Sequence, residues 1–171
     1  MNTIELTRVL EKVVKHRNIC LLGVLASDQL PRIIVTTPTM AIINTQPSTM
    51  PGAHWLAVYI DEARTGYFFD SFGHSPAYIG FPDDIYRFLK LNCLNVQYSK
   101  RQVQENMATT CGQHCVYFLC QIQKRLSYQE VMNMYHDRLH CNDIMVCKFV
   151  SRIRPGTCRS HEFTCVQCVH P

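Results

Sequence analysis

Leu6, Val9, Leu10, Val13 and Val14 recur at helical spacing in an otherwise charged stretch, which predicts a helix over about residues 3–17 with one buried face. An apolar run over 19–25 follows and is expected to be buried. Residues 32–37 and 40–44 read as short strands separated by Pro38, and 46–52, with Pro47 and Pro51, as a loop. Residues 54–60 are apolar on both alternations, the pattern of a strand covered on both faces. A polar turn ending in Gly66 leads to a second strand at 67–72, so the two predict a hairpin. Pro82 in a first helical turn, followed by Asp83 and Asp84, opens a helix to about Asn92, because acids there complement the helix dipole. A strand at 94–98 and a polar loop at 100–110 come next. From Cys111, the apolar positions Cys115, Phe118, Leu119 and Ile122 predict a buried helix to about Leu126. Ser127 with Glu130 is a capping-box pattern for another helix. A last helix is predicted from Asp143 to Ile153, broken by Pro155-Gly156. The elements add up to an α+β domain, a central mixed β-sheet flanked by helices.

Composition narrows the class. A chain of 171 residues, 47% hydrophobic and 18% charged, fits an ordered domain rather than a disordered chain. There is no internal repeat and no low-complexity segment; one domain over 1–154 with a Cys/His-containing tail at 155–171 is the expected organisation. The net charge of +4 permits an acidic partner such as nucleic acid without establishing one. Ten cysteines would fit a disulfide scaffold, yet the first residues are amphipathic and charged, unlike a signal peptide. No window reaches the roughly eighteen continuous apolar residues of a membrane span. The expectation is therefore an intracellular, reduced protein without a membrane role, in which clustered cysteines are catalytic or metal-binding.

The candidate chemistry centres on Cys111-Gly112-Gln113-His114-Cys115 and His54-Trp55. A free thiol is a poor nucleophile at neutral pH, and a helix N-terminus such as that expected at Cys111 favours the thiolate. Gly112 is expected to let a substrate backbone approach. A base and an orienting acid are also required. His54 and Asp70 lie on the two strands of the proposed hairpin, sixteen residues apart, where they could sit side by side. Gln104, seven residues before Cys111, offers a side-chain amide to a developing oxyanion beside the Cys111 N–H. Losing one such donor typically costs about 3–4 kcal/mol of transition-state stabilisation. Each residue taken alone reads more readily as a structural one; their order and spacing carry the reading.

That order resembles the adenovirus-type cysteine proteases (adenain) and, more distantly, the SUMO-deconjugating proteases of the same superfamily. The matching segments are Ala41-Ile42-Ile43-Asn44-Thr45, Gly52-Ala53-His54-Trp55, Tyr67-Phe68-Phe69-Asp70-Ser71-Phe72-Gly73, Val103-Gln104 and the Cys111 pentapeptide. Papain-like enzymes place the cysteine first. The resemblance implies His54 as general base, Asp70 as its orienting acid, Gln104 as oxyanion donor and Cys111 as nucleophile. It implies an endopeptidase cutting near Gly-Gly sites and maturing capsid or core precursors of a virus or virus-like mobile element. It further implies action as a monomer in the host nucleus or the virion. Adenoviral enzymes carry Glu where Asp70 stands. The deconjugating branch commonly has Asp there, but Asp where Thr110 stands. Deconjugation of SUMO or ubiquitin-like proteins is accordingly the alternative activity.

The resemblance also assigns Cys93, eighteen residues before Cys111, as the partner of a short activating peptide through a disulfide. Viral DNA is the other implied activator, with Lys100-Arg101, Lys124-Arg125, Arg152 and Arg154 as candidate contacts. The chemistry itself requires no cofactor. Trp55 reads as cleft lining or as core. Cys115 and Cys120 read as core, and His114 as turned away from the nucleophile. Cys158, His161, Cys165, Cys168 and His170 give the tail a zinc-like composition, but its cramped single CxxC assigns no metal. A non-enzymatic zinc or interaction module is the third reading.

Overall fold

The computed structural model describes residues 1–14 and 18–153. Asn2 starts helix α1 (Thr3–Val13) with a reciprocal cap: its side chain accepts from the Glu5 N–H at 2.9 Å, and the Glu5 carboxylate accepts from the Asn2 N–H at 3.2 Å. Leu6, Val9, Leu10 and Val13 face the core, each worth about 1.5–3 kcal/mol of burial before ordering costs. The helix stops four residues short of the expected end, because Val14 turns to extended backbone.

Five strands form one sheet in the order β1 (Cys20–Ala26), β2 (Thr39–Asn44), β3 (Trp55–Ile60), β4 (Thr65–Phe69) and β5 (Asn95–Gln97). β1 and β2 are parallel, β2–β3 and β3–β4 antiparallel, and β4–β5 parallel, so the sheet is mixed as expected. β2 and β3 are buried throughout. Alternate residues feed two cores. Met40, Ile42, Trp55, Ala57 and Tyr59 pack with α1, α3 (Cys111–Ile122) and α5 (Leu139–Ile153). Ala41, Ile43, Leu56, Val58 and Ile60 pack with Ile85, Phe88 and Leu89 of α2 (Asp83–Asn92). This is the physical basis of the double alternation at 54–60. The short helix α4 (Tyr128–Asn133) begins with the Ser127–Glu130 box.

Several boundaries differ from the sequence reading. The apolar run after residue 19 is an edge strand, half-buried along its whole length rather than buried. Residues 32–37 are not a strand. The Ile34 N–H donates to the Asn92 side chain at 2.6 Å and its carbonyl accepts from Arg64 at 3.3 Å, so side chains replace the ladder. Of the apolar trio there only Ile34 is buried; Val35 is 90% exposed. β4 starts two residues early and ends at Phe69, β5 is shorter than 94–98, and α3 ends at Ile122. α5 begins four residues before Asp143, which becomes a buried interior position. No helix among the described residues is long and apolar enough to cross a membrane.

Candidate active site

The antiparallel register of β3 and β4 pairs Ala57 with Phe69, so continuing it past the strand ends sets His54 opposite Phe72. The two rings lie 5.0 Å apart. His54 and Asp70 therefore flank the strands rather than sit within them, and they meet on the diagonal. His54 Nε2 lies 2.6 Å from Asp70 Oδ1. The carboxylate is buried and accepts from every side. Oδ1 also takes the Phe72 N–H at 3.1 Å, and Oδ2 takes the N–H of His74 at 3.0 Å and its ring Nδ1 at 2.6 Å. Burial alone would raise the Asp70 pKa; the His54 contact and the two backbone donors outweigh it and hold the group below the ordinary carboxylate value. An ionised Asp70 only accepts, so His54 Nε2 carries a proton and Nδ1 is the ring atom left for Cys111.

Cys111 is the first residue of α3, next to Thr110 at the cap position. Its sulfur meets His54 and the backbone N–H groups of Trp55 and Gly112. Burial pushes the thiol up, but those contacts and the His54 charge bring it below its ordinary value. For His54, burial pushes down, and the hydrogen bonds and charges of Asp70 and Cys111 win, raising its pKa to about 9. Both shifts favour a thiolate–imidazolium pair, which can attack an electrophilic carbon and deliver a proton to a leaving group.

Gly112 has a packing role as well. A Cβ there would meet Leu6 Cδ2 at 3.1 Å and Trp55 Cδ1 at 3.4 Å, so tight internal packing against α1 and β3 favours the glycine. Trp55 is 9% exposed and belongs to the core. Its indole N–H donates to the Met1 carbonyl at 3.3 Å, and its own carbonyl accepts from the Cys115 thiol at 3.3 Å. Cys115 and Cys120 are buried.

Gln104 is buried and clamped. Ser71 Oγ donates to Gln104 Oε1 at 2.6 Å, which fixes the orientation of the amide, and Nε2 donates to the Ala108 carbonyl at 2.6 Å. One N–H of that amide is thus spent on Ala108, and the second remains. The Ser71 carbonyl also accepts from the Val103 and Gln104 N–H groups, joining the segment after the acid to the Gln104 loop.

The loop has a second anchor that sequence reasoning missed. Asp143 accepts from the Glu105 N–H at 3.1 Å and from the Thr110 hydroxyl, and it lies 3.0 Å from His114 Nε2. Asn142 donates to the Val103 carbonyl at 3.0 Å. The start of α5 at Leu139 puts Asn142 on that helix and makes Asp143 an interior position of it rather than its first residue. His114 is fully buried, and burial lowers its pKa despite Asp143. Its Nε2 faces α5 rather than the His54–Cys111 pair. His74 and Ser71 were missed as well; a polar residue one and four positions after a candidate acid is the signal that marks them.

Cys93 lies elsewhere. It caps the C-terminal end of α2 and packs against Gly66, where a Cβ would come within 2.6 Å of its sulfur. It also lines an open groove of about 460 Å³ with Tyr86, Leu94 and Tyr98. Burial is the main reason its pKa is pushed up to about 11. Of the candidate DNA contacts, Arg101 is engaged by the Met132 and Tyr135 carbonyls and Asp137, and Lys124 by Gln121. Arg125 is 90% exposed in its side chain, and Arg154 and the Cys/His tail fall outside the described residues. Among the described residues, no group of three or more His, Cys, Asp or Glu side chains is arranged to hold a metal ion.

The model of the adenovirus endoprotease family matches residues 21–143, which include all four candidate site residues. The chain belongs to the adenovirus endoprotease family. Similar members are the protease of porcine adenovirus A serotype 3, 32% identical over 109 residues, covering 55% of this chain and 53% of that one. The protease of frog adenovirus 1 is 33% identical over 95 residues, covering 50% and 47%. That of bovine adenovirus 2 is 35% identical over 91 residues, covering 46% and 43%. The chain thus spans about half the length of the curated family members it matches. Among solved structures, the central domain of the uncharacterized Lpg1148 protein from Legionella pneumophila aligns at a TM-score of 0.49 and 12% identity, covering 90% of this chain and 97% of that one. ChlaDub1 from Chlamydia trachomatis aligns at 0.47 and 17%, covering 91% and 79%.

Proposed function

We propose that this member of the endoprotease family is a cysteine endopeptidase with Cys111 as nucleophile, His54 as general base and acid, Asp70 as the orienting acid and Gln104 as oxyanion donor. The observation that carries the reading is the wiring of His54. Asp70 holds one side of its ring and the Cys111 sulfur meets the other. The Cys111 thiolate adds to the scissile carbonyl carbon. The oxyanion is received by the unpaired N–H at the start of α3 and by the second N–H of the Gln104 amide. The His54 imidazolium gives its proton to the leaving amine, and a thioester forms. His54 then takes a proton from water, which hydrolyses the thioester and returns the thiolate.

The substrates of this reading are capsid or core precursors of a virus or virus-like element, cut near Gly-Gly, in the host nucleus or the virion. Its activators are a short peptide disulfide-linked at Cys93 and DNA. Asp70, in place of Glu, favours a second reading, deconjugation of ubiquitin-like proteins by the same four residues. The test is cleavage of Gly-Gly capsid-type peptides beside ubiquitin-like precursors. The first reading expects turnover of the peptides, lost in Cys111→Ala. Turnover of the precursors alone establishes the second reading, and full peptide cleavage by Cys111→Ala contradicts both.

A further inference from the structure

Asp70 is gripped by two histidines, and the proposed chemistry uses only one of them. Oδ1 faces His54, while Oδ2 is held by the ring Nδ1 of His74 at 2.6 Å and by its backbone N–H at 3.0 Å. The His74 ring is itself held in place. It stacks on Tyr78 with centroids 4.0 Å apart and meets the edge of Phe81 at 5.9 Å. The turn that delivers it passes through Gly73 at φ 78°, where a Cβ would come within 2.7 Å of the Lys100 carbonyl, so the turn is pinned against the following loop. The titratable groups set against His74 are Asp70 and Tyr78. The nearby Arg101 guanidinium is directed to the Met132 and Tyr135 carbonyls instead.

We propose that His74 is a positioning residue for the endopeptidase reading, holding Asp70 Oδ2 so that Oδ1 stays turned toward His54. A carboxylate rotates about a soft terminal torsion; the backbone N–H of His74 narrows that freedom, and the shorter contact from its ring at 2.6 Å narrows it further. The order His74, Asp70, His54, Cys111 then runs from a side chain 36% exposed, through a carboxylate with none of its side chain exposed, to the thiol. Without the His74 ring, Oδ2 keeps only a backbone donor. Asp70 supports the His54 imidazolium less well, and the Cys111 thiolate forms at higher pH.

The experiment is the rate of Cys111 alkylation by iodoacetamide across pH 4–9 in the full chain, resolved by peptide mass spectrometry, for His74→Leu and His74→Asn. The asparagine places a neutral N–H donor at the position of Nδ1. For His74→Leu we expect the low-pH limb to move upward and the rate at pH 6 to fall about tenfold, the usual scale of a lost hydrogen bond to a charged group. His74→Asn is expected to stay within about twofold of the parent chain. A His74→Leu profile that overlays the parent's, or a His74→Asn loss as large as that of His74→Leu, overturns the proposal. Should His74→Leu not fold, His74→Ala takes its place as the variant without a ring donor and is read against His74→Asn by the same criteria. If Cys111 of the parent chain reacts no faster than Cys147, the endopeptidase reading itself fails, an outcome separate from the two above.

Discussion

Cys111 and Cys93 are both half-buried thiols beside a glycine, yet their surroundings drive them in opposite directions. Cys111 opens α3, where unpaired N–H groups favour a thiolate, and it meets His54. Cys93 closes α2, where the dipole opposes negative charge, and burial raises its pKa to about 11. The two ends of β4 separate these environments. Asp70 follows its last residue and Gly66, against Cys93, is its second, so four residues at about 3.3 Å each set them about 13 Å apart along the strand. Burial alone does not make a cysteine reactive; the helix end on which it sits and the partner it meets decide.

The contrast breaks most visibly in peptide cleavage. Cys111→Ala and His54→Ala are each expected to lose about 10⁴-fold or more in kcat/KM with the far-ultraviolet circular dichroism unchanged. Gln104→Ala is expected to lose about 10²–10³-fold, mostly in kcat, in a steady-state assay. At pH 7, iodoacetamide should modify Cys111 at least about a hundredfold faster than Cys93, because a thiol of pKa about 11 is only about one part in 10⁴ thiolate there. Site-resolved mass spectrometry gives that ratio directly. Above pH 9 the two assays should separate. The raised pKa of His54, about 9, means the imidazolium is present below that value and lost above it. Cleavage should then fall about tenfold per pH unit for want of a proton for the leaving amine, while alkylation continues. The smallest effect concerns packing at the second cysteine. Gly66→Ala should destabilise by about 1–3 kcal/mol in urea unfolding, and Cys93→Ala should relieve part of that loss in a double-mutant cycle.

The double alternation at 54–60 made β3 legible, since both faces of that strand meet a core. The Asn44, His54, Asp70 and Gln104 segments were legible as an order, and the fold brings His54, Asp70 and Cys111 into contact. Residues 32–37 misled, because Val and Ile favour strands whether or not a neighbour accepts their hydrogen bonds, and here Asn92 and Arg64 take them. The packing of Gly112 against Leu6, more than a hundred residues away in sequence, was not legible. Such long-range contacts leave no local pattern. The same holds for Asp143 beneath Thr110 and Glu105. These residues hold the site in place, and only tertiary structure reveals them.

The central claim is that His54 and Cys111 form a thiolate–imidazolium pair, and the alkylation rate of Cys111 as a function of pH tests it most directly. The account predicts a half-maximal rate below the ordinary thiol value, moving up toward that value in His54→Ala. A Cys111 that titrates like an ordinary thiol, with a profile indifferent to His54→Ala, would contradict it.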